Sequence, residues 1–538
     1  MPDLPQFNML KLIPSGLAKR IKLRGGRVSG PWVIFRKSIQ YTALFLFIAL
    51  FVWSRQDGGP ATLINIPMRM DPLLILAHLA ASRTILAGSA LALIVILLTV
   101  VFGRAWCGWL CPLGTILDLI PFNRQRKKRP AIPDGMRRIK FDFVIVIFVA
   151  ALLGNLTLLF FDPLTLLQRT LTVSIWPALD RIVTSLEIGL AKFPVFAEPL
   201  GVFDNWIRPA ILPVQPVYFR DGLLFAIIFS GVVLLNMLAA RFWCRYVCPL
   251  GGTLGWLSKI SIFRRKVGIE CKGCTLCTDI CPTGTINPLQ DFSSDPSECT
   301  MCMDCLEVCP RGLTRFVPVF SPEKWTGYDP DAKEAFLALG ATVAAIAILN
   351  SGQAAKRQSP FLIRPPGVRE FNSDVVAFTK CTRCNECIRV CPTGGLQPAV
   401  LEVGVAGLGS PILTPRLGYC DYSCNACGQV CPVQAIPPLD LETKRSQVIG
   451  LAYIDENRCI PWSDGKPCFV CEEMCPMPEK AILLVETNVV GPDGSNATLK
   501  LPHMRRDLCI GCGICEYKCP VSGDAAIRVY MPQVSVPF

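Results

Sequence analysis

Long apolar runs separated by short basic stretches fill the first half of the chain, and the pattern stops near residue 260. Four of these runs, about 38–54, 84–103, 141–161 and 221–240, approach the roughly 20 residues that carry a helix across a bilayer. They predict a membrane all-α helical bundle of four spans. A fifth run, 335–355, has no charged residue and contains the core AFLALGATVAAIAIL. It is a candidate fifth transmembrane helix, the alternative being an Ala-rich buried helix between two soluble modules.

The charges orient the bundle. Residues 1–37 hold eight Lys or Arg and 104–140 hold nine, whereas 55–82 hold only Arg55 and Arg69. The positive-inside rule therefore puts the N-terminus and the 104–140 loop in the cytoplasm. The first apolar run starts too late, behind too long a basic segment, for a cleaved signal peptide. A net charge of +13 is thereby assigned to loops at a membrane face, and nucleic acid drops out as a partner. The second external segment, about 162–219, is expected to fold over the outer face.

The membrane half repeats itself. RAWCGWLCPLGTILDLIPF from 104 aligns with RFWCRYVCPLGGTLGWLSKISIF from 241, and MDPLLIL at 70 with FDPLTLL at 161. Two similar helix pairs arranged in parallel bring Cys107, Cys111, Cys244 and Cys248 to the cytoplasmic face. If each stretch continues its helix, each pair lies i to i+4 on one face with Cβ atoms about 6 Å apart. Three roles stay open for them: a shared metal or cluster site, redox-active dithiols, or a small-residue packing contact. Asp71 and Asp162, each followed by proline, read as helix starts or as contacts for a quinone.

The other 24 of the 28 cysteines form six quartets. Four read C-x2-C-x2-C-x3-C-P: Cys271, Cys274, Cys277, Cys281; Cys299, Cys302, Cys305, Cys309; Cys381, Cys384, Cys387, Cys391; and Cys509, Cys512, Cys515, Cys519. Two stretch the first interval: Cys420, Cys424, Cys427, Cys431, and Cys459, Cys468, Cys471, Cys475. Three cysteines on a tight loop hold three corners of a [4Fe–4S] cube, while the fourth, before proline, reaches a neighbouring cluster. Zinc sites instead tend to use two separated Cys-x2-Cys pairs, and disulfide scaffolds are small secreted chains.

About six clusters are therefore expected. In the first module one takes Cys271, Cys274, Cys277 and Cys309, and the other Cys299, Cys302, Cys305 and Cys281. For the last four quartets a nested pairing, first with fourth and second with third, is preferred to a sequential one. Gly273, Gly284, Gly511 and Gly513 suit close backbone approach to the sulfides. Neither haem nor flavin is expected. There is no C-x-x-C-H, no Gly-rich dinucleotide fingerprint, and His78 and His503 are the only histidines. His78, just before the second span, is either a quinone contact or a satisfied interfacial residue, and His503 is expected on a surface.

These motifs resemble a known family. Residues of about 36–315, with four spans, two Cys-x3-Cys-Pro motifs and a two-cluster tail, resemble the NapH membrane ferredoxins. Residues of about 335–538 are similar to the NapG and MauM ferredoxins, through FLIRPPG at 361, CTRCNECIRVCPTGGLQPA at 381, PRLGYCDYSCNACGQVCPVQAIPPL at 415 and IDENRCIPWSDGKPCFVCEEMCPMPEKAI at 454. The resemblance implies quinol oxidation at an inner membrane and delivery of electrons to a redox partner protein, such as a periplasmic reductase or cytochrome. It also implies a periplasmic C-terminal domain, although DAKEAFLALG lacks the arginine pair of the usual export signal.

The expected organisation is a membrane domain over 1–260, a two-cluster ferredoxin module over 261–320, a linker with the fifth helix over 321–360, and a four-cluster α+β ferredoxin-like domain over 361–538. The expected function is electron relay between the quinone pool and a redox partner, of quinol dehydrogenase type. A reading from another class makes the chain a metal-handling or assembly factor, whose membrane thiols bind or reduce copper for a partner enzyme.

Overall fold

The computed structural model describes residues 30–54, 61–86, 88–120, 134–212, 217–271, 273–319, 361–368, 379–400, 402–490 and 496–531, with isolated positions between 340 and 344. The run at 335–355 lies almost wholly outside the described residues.

Each of the four apolar runs becomes a helix: α1 (Pro31–Trp53), α3 (Ala90–Phe102), α5 (Ile139–Leu152) and α7 (Gly222–Leu234). Of the described helices only α1, with 23 residues, is long and apolar enough by itself to cross a membrane. The others are shorter than their sequence runs because the chain breaks them. After α5, Gly154 takes φ +79° and the Asn155 side chain accepts from the Thr157 N–H at 2.9 Å, turning the backbone. Just before α3, Gly88 takes φ +94°, and Gly103 at φ +65° ends the helix.

Four short helices fill the space this leaves. Pro72–Ser82 (α2) and Pro163–Thr170 (α6) start at the two Asp-Pro pairs, and Pro112–Leu119 (α4) and Pro249–Ser258 (α8) at the two Cys-Pro pairs. Asp71 accepts from the Leu73 and Leu74 N–H groups at 2.9 and 3.2 Å, and Asp162 from Leu164 and Thr165 at 3.0 Å each. Proline at the first helical position gives up an N–H that would have no partner there. Thus α1–α4 and α5–α8 are two copies of one four-helix unit. They interlock: α2 packs on α5 and α8, and α4 on α6.

Two cysteine-rich regions cap this core at opposite ends of α1. At its start, the Trp32 N–H donates to Glu307, and Arg36 pairs with Asp304 at 3.0 Å. At its finish, Arg389 donates to the Phe51 carbonyl oxygen and lies over the Phe51 ring. Fifteen residues of helix separate these contacts, about 22 Å along the axis. The first region is closed by strands β1 (Phe263–Val267) and β2 (Thr314–Pro318), paired antiparallel around both of its quartets. The second holds β3 (Leu396–Pro398) against β4 (Pro411–Leu413), and β5 (Leu451–Ile454) against β8 (Ile527–Tyr530). The long hairpin of β6 (Ile482–Val490) and β7 (Asn496–Met504) runs between β5 and β8 in the chain.

The two ends are held by different forces. At the start of α1 the buried Arg36, Arg104, Lys140 and Arg241 pair with Asp118, Glu298 and Asp304. At the other end Phe160, Val173, Phe219 and Phe225 share one core with Ile363, Val368, Ile388 and Leu413 of the C-terminal region. Removing one member of a buried ion network strands the rest, at a cost of about 3 kcal/mol. Asp118→Ala should therefore destabilise the core by about that amount, read as a lower melting temperature in detergent. An unchanged melt would show that Arg36 and Arg241 do not rely on it.

Candidate cluster sites and the core thiols

In the C-terminal region four cavities are each lined by four cysteines. They are Cys381, Cys384, Cys387 with Cys431; Cys391 with Cys420, Cys424, Cys427; Cys475 with Cys509, Cys512, Cys515; and Cys459, Cys468, Cys471 with Cys519. In every case the fourth cysteine comes from the other quartet of a sequential pair. The nested pairing expected from the motif order is therefore incorrect. Its physical reason is the strand pair β5–β8, which encloses the last two quartets in one ferredoxin unit and leaves the preceding two to each other. In the first module Cys281 lies electrostatically close to Cys299, Cys302 and Cys305, and Cys277 to Cys271 and Cys274.

The cavities suit a cluster. Three sulfurs on one loop and a fourth from the neighbour is the donor set of a paired-cluster ferredoxin. Among the described residues no three His, Cys, Asp or Glu side chains converge tightly enough for a single metal ion. Burial pushes the thiols up, Cys299 to about 11 and Cys471 and Cys512 to about 12. Metal binding would displace those protons, since thiolate is the ligand. When bound, such clusters supply one-electron chemistry. The chain's own part is to hold the sulfurs, exclude water and bring the sites into series.

The loops show a feature hidden from composition. In the regular motifs the residues before and after the second cysteine adopt positive φ: Gly273 and Thr275, Met301 and Met303, Arg383 and Asn385, Gly511 and Gly513. Gly273, Gly511 and Gly513 had looked special as glycines. Five other residues accept the same left-handed backbone, at about 1 kcal/mol each. The usable signal was position within C-x2-C-x2-C.

The sites lie in series. The Cys384 cavity borders the helical core, sharing an apolar cluster with Phe47, Leu74, Ile75, Leu164 and Leu167. The Cys420 N–H donates to the Cys512 carbonyl oxygen at 2.8 Å, joining one ferredoxin unit to the next. Gln168 of α6 donates to Glu386 at 2.8 Å beside Cys387, and burial pushes the Glu386 carboxyl up to about 8 against the pull of Arg389.

Cys107, Cys111, Cys244 and Cys248 are all buried in one apolar cluster of the core. The preceding helices do not run on through them, contrary to the simple i to i+4 picture. Residues 105–109 and 243–247 form separate short turns, and Cys111 and Cys248 cap the new helices α4 and α8. The carboxylates of the two Asp-Pro pairs also lie close together. Asp71 and Asp162 are fully buried, each spends one oxygen on its helix cap, the other oxygen of each (Asp71 Oδ2 and Asp162 Oδ1) has no hydrogen-bond partner, and the two carboxyls interact electrostatically. Arg169, fully buried with Nε and Nη1 unpartnered, interacts electrostatically with Asp162 and Cys384. His78 is buried, its Nδ1 3.1 Å from Ser82 Oγ and its Nε2 without a partner. His503 is exposed and stacks edge-on against Trp462.

A helical core capped at both ends by cysteine-lined ferredoxin units defines a polyferredoxin. Two family models, both described as 4Fe-4S binding domains, match the chain, one over 84–130 and 221–270, the other over 375–397 and 503–522. The first match covers each Cys-x3-Cys-Pro repeat in turn. The chain is similar to the methylamine utilization ferredoxin-type protein MauM of Methylorubrum extorquens, 32% identical over 189 residues, which are 35% of this chain and 80% of MauM. Ferredoxin-type protein NapG of Escherichia coli is 33% identical over 179 residues, 33% of this chain and 74% of NapG. Ferredoxin-type protein NapH of Escherichia coli is 24% identical over 279 residues, 49% of this chain and 78% of NapH. No solved structure gives a significant match. The chain belongs to the NapG/MauM ferredoxin-type family, and joins a NapH-like part to a NapG/MauM-like part.

The sequential pairing has a direct consequence. Cys381→Ser, Cys431→Ser and the double variant should each lose the iron of one cluster, about four atoms. A double variant losing twice as much as either single would assign the two cysteines to different clusters.

Proposed function

We propose that the chain relays electrons between the quinone pool of an inner membrane and a redox partner protein, through about six [4Fe–4S] clusters held by its 24 quartet cysteines. The observation that carries this reading is the placement of two ferredoxin regions at opposite ends of one helical core. With the basic end in the cytoplasm, the first module is cytoplasmic and the four-cluster region periplasmic. The outward faces of the core support a bilayer around it: Phe45 and Leu46 on α1, Leu93 and Leu97 on α3, and Leu223 and Ile227 on α7 are all exposed apolar side chains. In this reading α1, α3, α5 and α7 are the four spans, and α2, α4, α6 and α8 dip in between them.

Quinol gives up two protons with its two electrons, so its site needs a group that holds and releases protons near the first electron acceptor. The Asp71–Asp162 pair, with Arg169 between it and Cys384, has that chemistry, and His78 is the other titratable group of α2. The partner at the outer end is a periplasmic reductase or cytochrome. The names of the relatives connect them to methylamine utilization, and here the terminal acceptor is defined only as a protein taking single electrons from the outermost cluster.

Mixing the anaerobic full-length protein with a reduced quinone tests the proposal. Bleaching of the cluster absorbance within the turnover time supports it, whereas clusters that dithionite reduces and quinol does not would overturn it. Asp71→Asn and Asp162→Asn separate proton handling from capping, since asparagine caps a helix as well as aspartate does. Each should slow quinol-driven reduction by about 10²-fold, the usual contribution of a positioned proton acceptor, with dithionite reduction unchanged. Equal rates would leave the pair a pure helix cap.

A further inference from the structure

Two Cys-x3-Cys-Pro pairs in one chain need not meet, yet in this core they do. All four are buried in one apolar cluster of the core, where Cys111 interacts electrostatically with Cys107 and Cys244, and Cys248 with Cys244, Cys107 and Cys111. None is in a disulfide. A backbone donor is already aimed at one of the sulfurs: the Gly251 N–H donates to Cys248 Sγ at 3.3 Å. Such N–H···S bonds stabilise a thiolate and tune a bound metal centre.

The shell is built for negative charge. Arg104 of the first half donates to the Cys244 carbonyl oxygen at 3.4 Å, and Arg241 of the second half donates to the Cys107 carbonyl oxygen at 3.1 Å. Both guanidinium groups are almost wholly buried, and each crosses to the opposite half. Each is also paired with a carboxylate, Arg104 with Glu298 and Arg241 with Asp118, and an anionic thiolate centre beside them would add to that compensation.

The position gives the site a task. Gln40 on α1 donates to the Gly108 carbonyl oxygen, and the Trp109 indole N–H to the Met301 carbonyl oxygen at 2.9 Å, within the Cys299–Cys305 loop. A side chain at Gly108 would overlap the Thr300 carbonyl oxygen, so this glycine lets the first module come close. On the far side Phe47, seven residues or about 10 Å further along α1, touches the apolar cluster that holds Cys384.

We propose that Cys107, Cys111, Cys244 and Cys248 together bind one iron–sulfur cluster, shared between the two halves and lying between the first module and the Cys384 site. It accepts one electron from a cluster at one end of the core and passes that electron to a cluster at the other, with no bond made or broken. The stepping-stone task rests on the electron-relay reading above; the existence of the site does not.

Iron and acid-labile sulfide are counted on the full-length protein, purified anaerobically, with Mössbauer spectra of the same samples. The six quartets account for about 24 iron atoms. The wild-type protein should exceed that by two to four. Cys107→Ser and Cys244→Ser should each lose that excess, and the double variant no more than either single. Unchanged iron in both single variants overturns the proposal, as does stoichiometric copper that disappears from the variants while iron stays constant. Should a variant lose all its iron by failing to fold, the wild-type count decides, and about 24 or fewer iron atoms rejects the site. A positive count with no response to quinol would reject the quinone reading and keep the seventh site.

Discussion

The buried ion network at the first end of the core is the constraint on which the rest depends. Charges removed from water must find partners, because an unpaired one costs several kcal/mol. Arg36, Arg104, Lys140 and Arg241 find them only when Asp118, Glu298 and Asp304 come together from two parts of the chain. Glu298 and Asp304 belong to the first ferredoxin module, so folding that module and closing the core are one event. The same arginines fix the backbone of Cys107 and Cys244. A network that docks a module thereby also positions four thiols.

The other end follows a different logic. Its contact with the C-terminal region is mainly apolar, with a few buried polar anchors such as Thr157, which donates to the Ala406 carbonyl oxygen at 2.7 Å and accepts from Arg383 at 3.1 Å. Non-directional burial tolerates a domain that is folded separately and then seated. That suits a region joined to the rest through a long connecting segment, and it lets a cluster ligand such as Cys384 sit directly against helix side chains.

What the sequence revealed and what it hid divide along physical lines. Local rules were readable: Asp71 and Asp162 cap helices, prolines open them, and the quartets announce cluster loops. Pairing between loops was not, since Cys431 and Cys519 follow the same motif rule and only the strand pair β5–β8 separates their partners. Hydrophobic run length overstated α3, α5 and α7, because short turns at Gly88, Gly103, Gly154 and Leu235–Met237 sit inside or beside apolar sequence without altering its hydropathy. The basic residues counted as loop charges at one face proved in part to be internal, as for Arg36, Arg104 and Lys140. That the two carboxylates lie near each other, and the four thiols share one cluster, follows from the two-fold packing of the halves, which no single stretch of sequence encodes.

Taken together, a self-paired helical core holds thiols towards one end and carboxylates towards the other, with ferredoxin units on both. The central claim is that electrons pass through this core from one end to the other. Proteoliposomes with an impermeant electron donor outside and an impermeant haem acceptor sealed inside test it most directly. The account predicts that the sealed acceptor is reduced only when the protein is present, without any quinone, and that Cys107→Ser slows this reduction. An acceptor that stays oxidised while dithionite still reduces every cluster would contradict it.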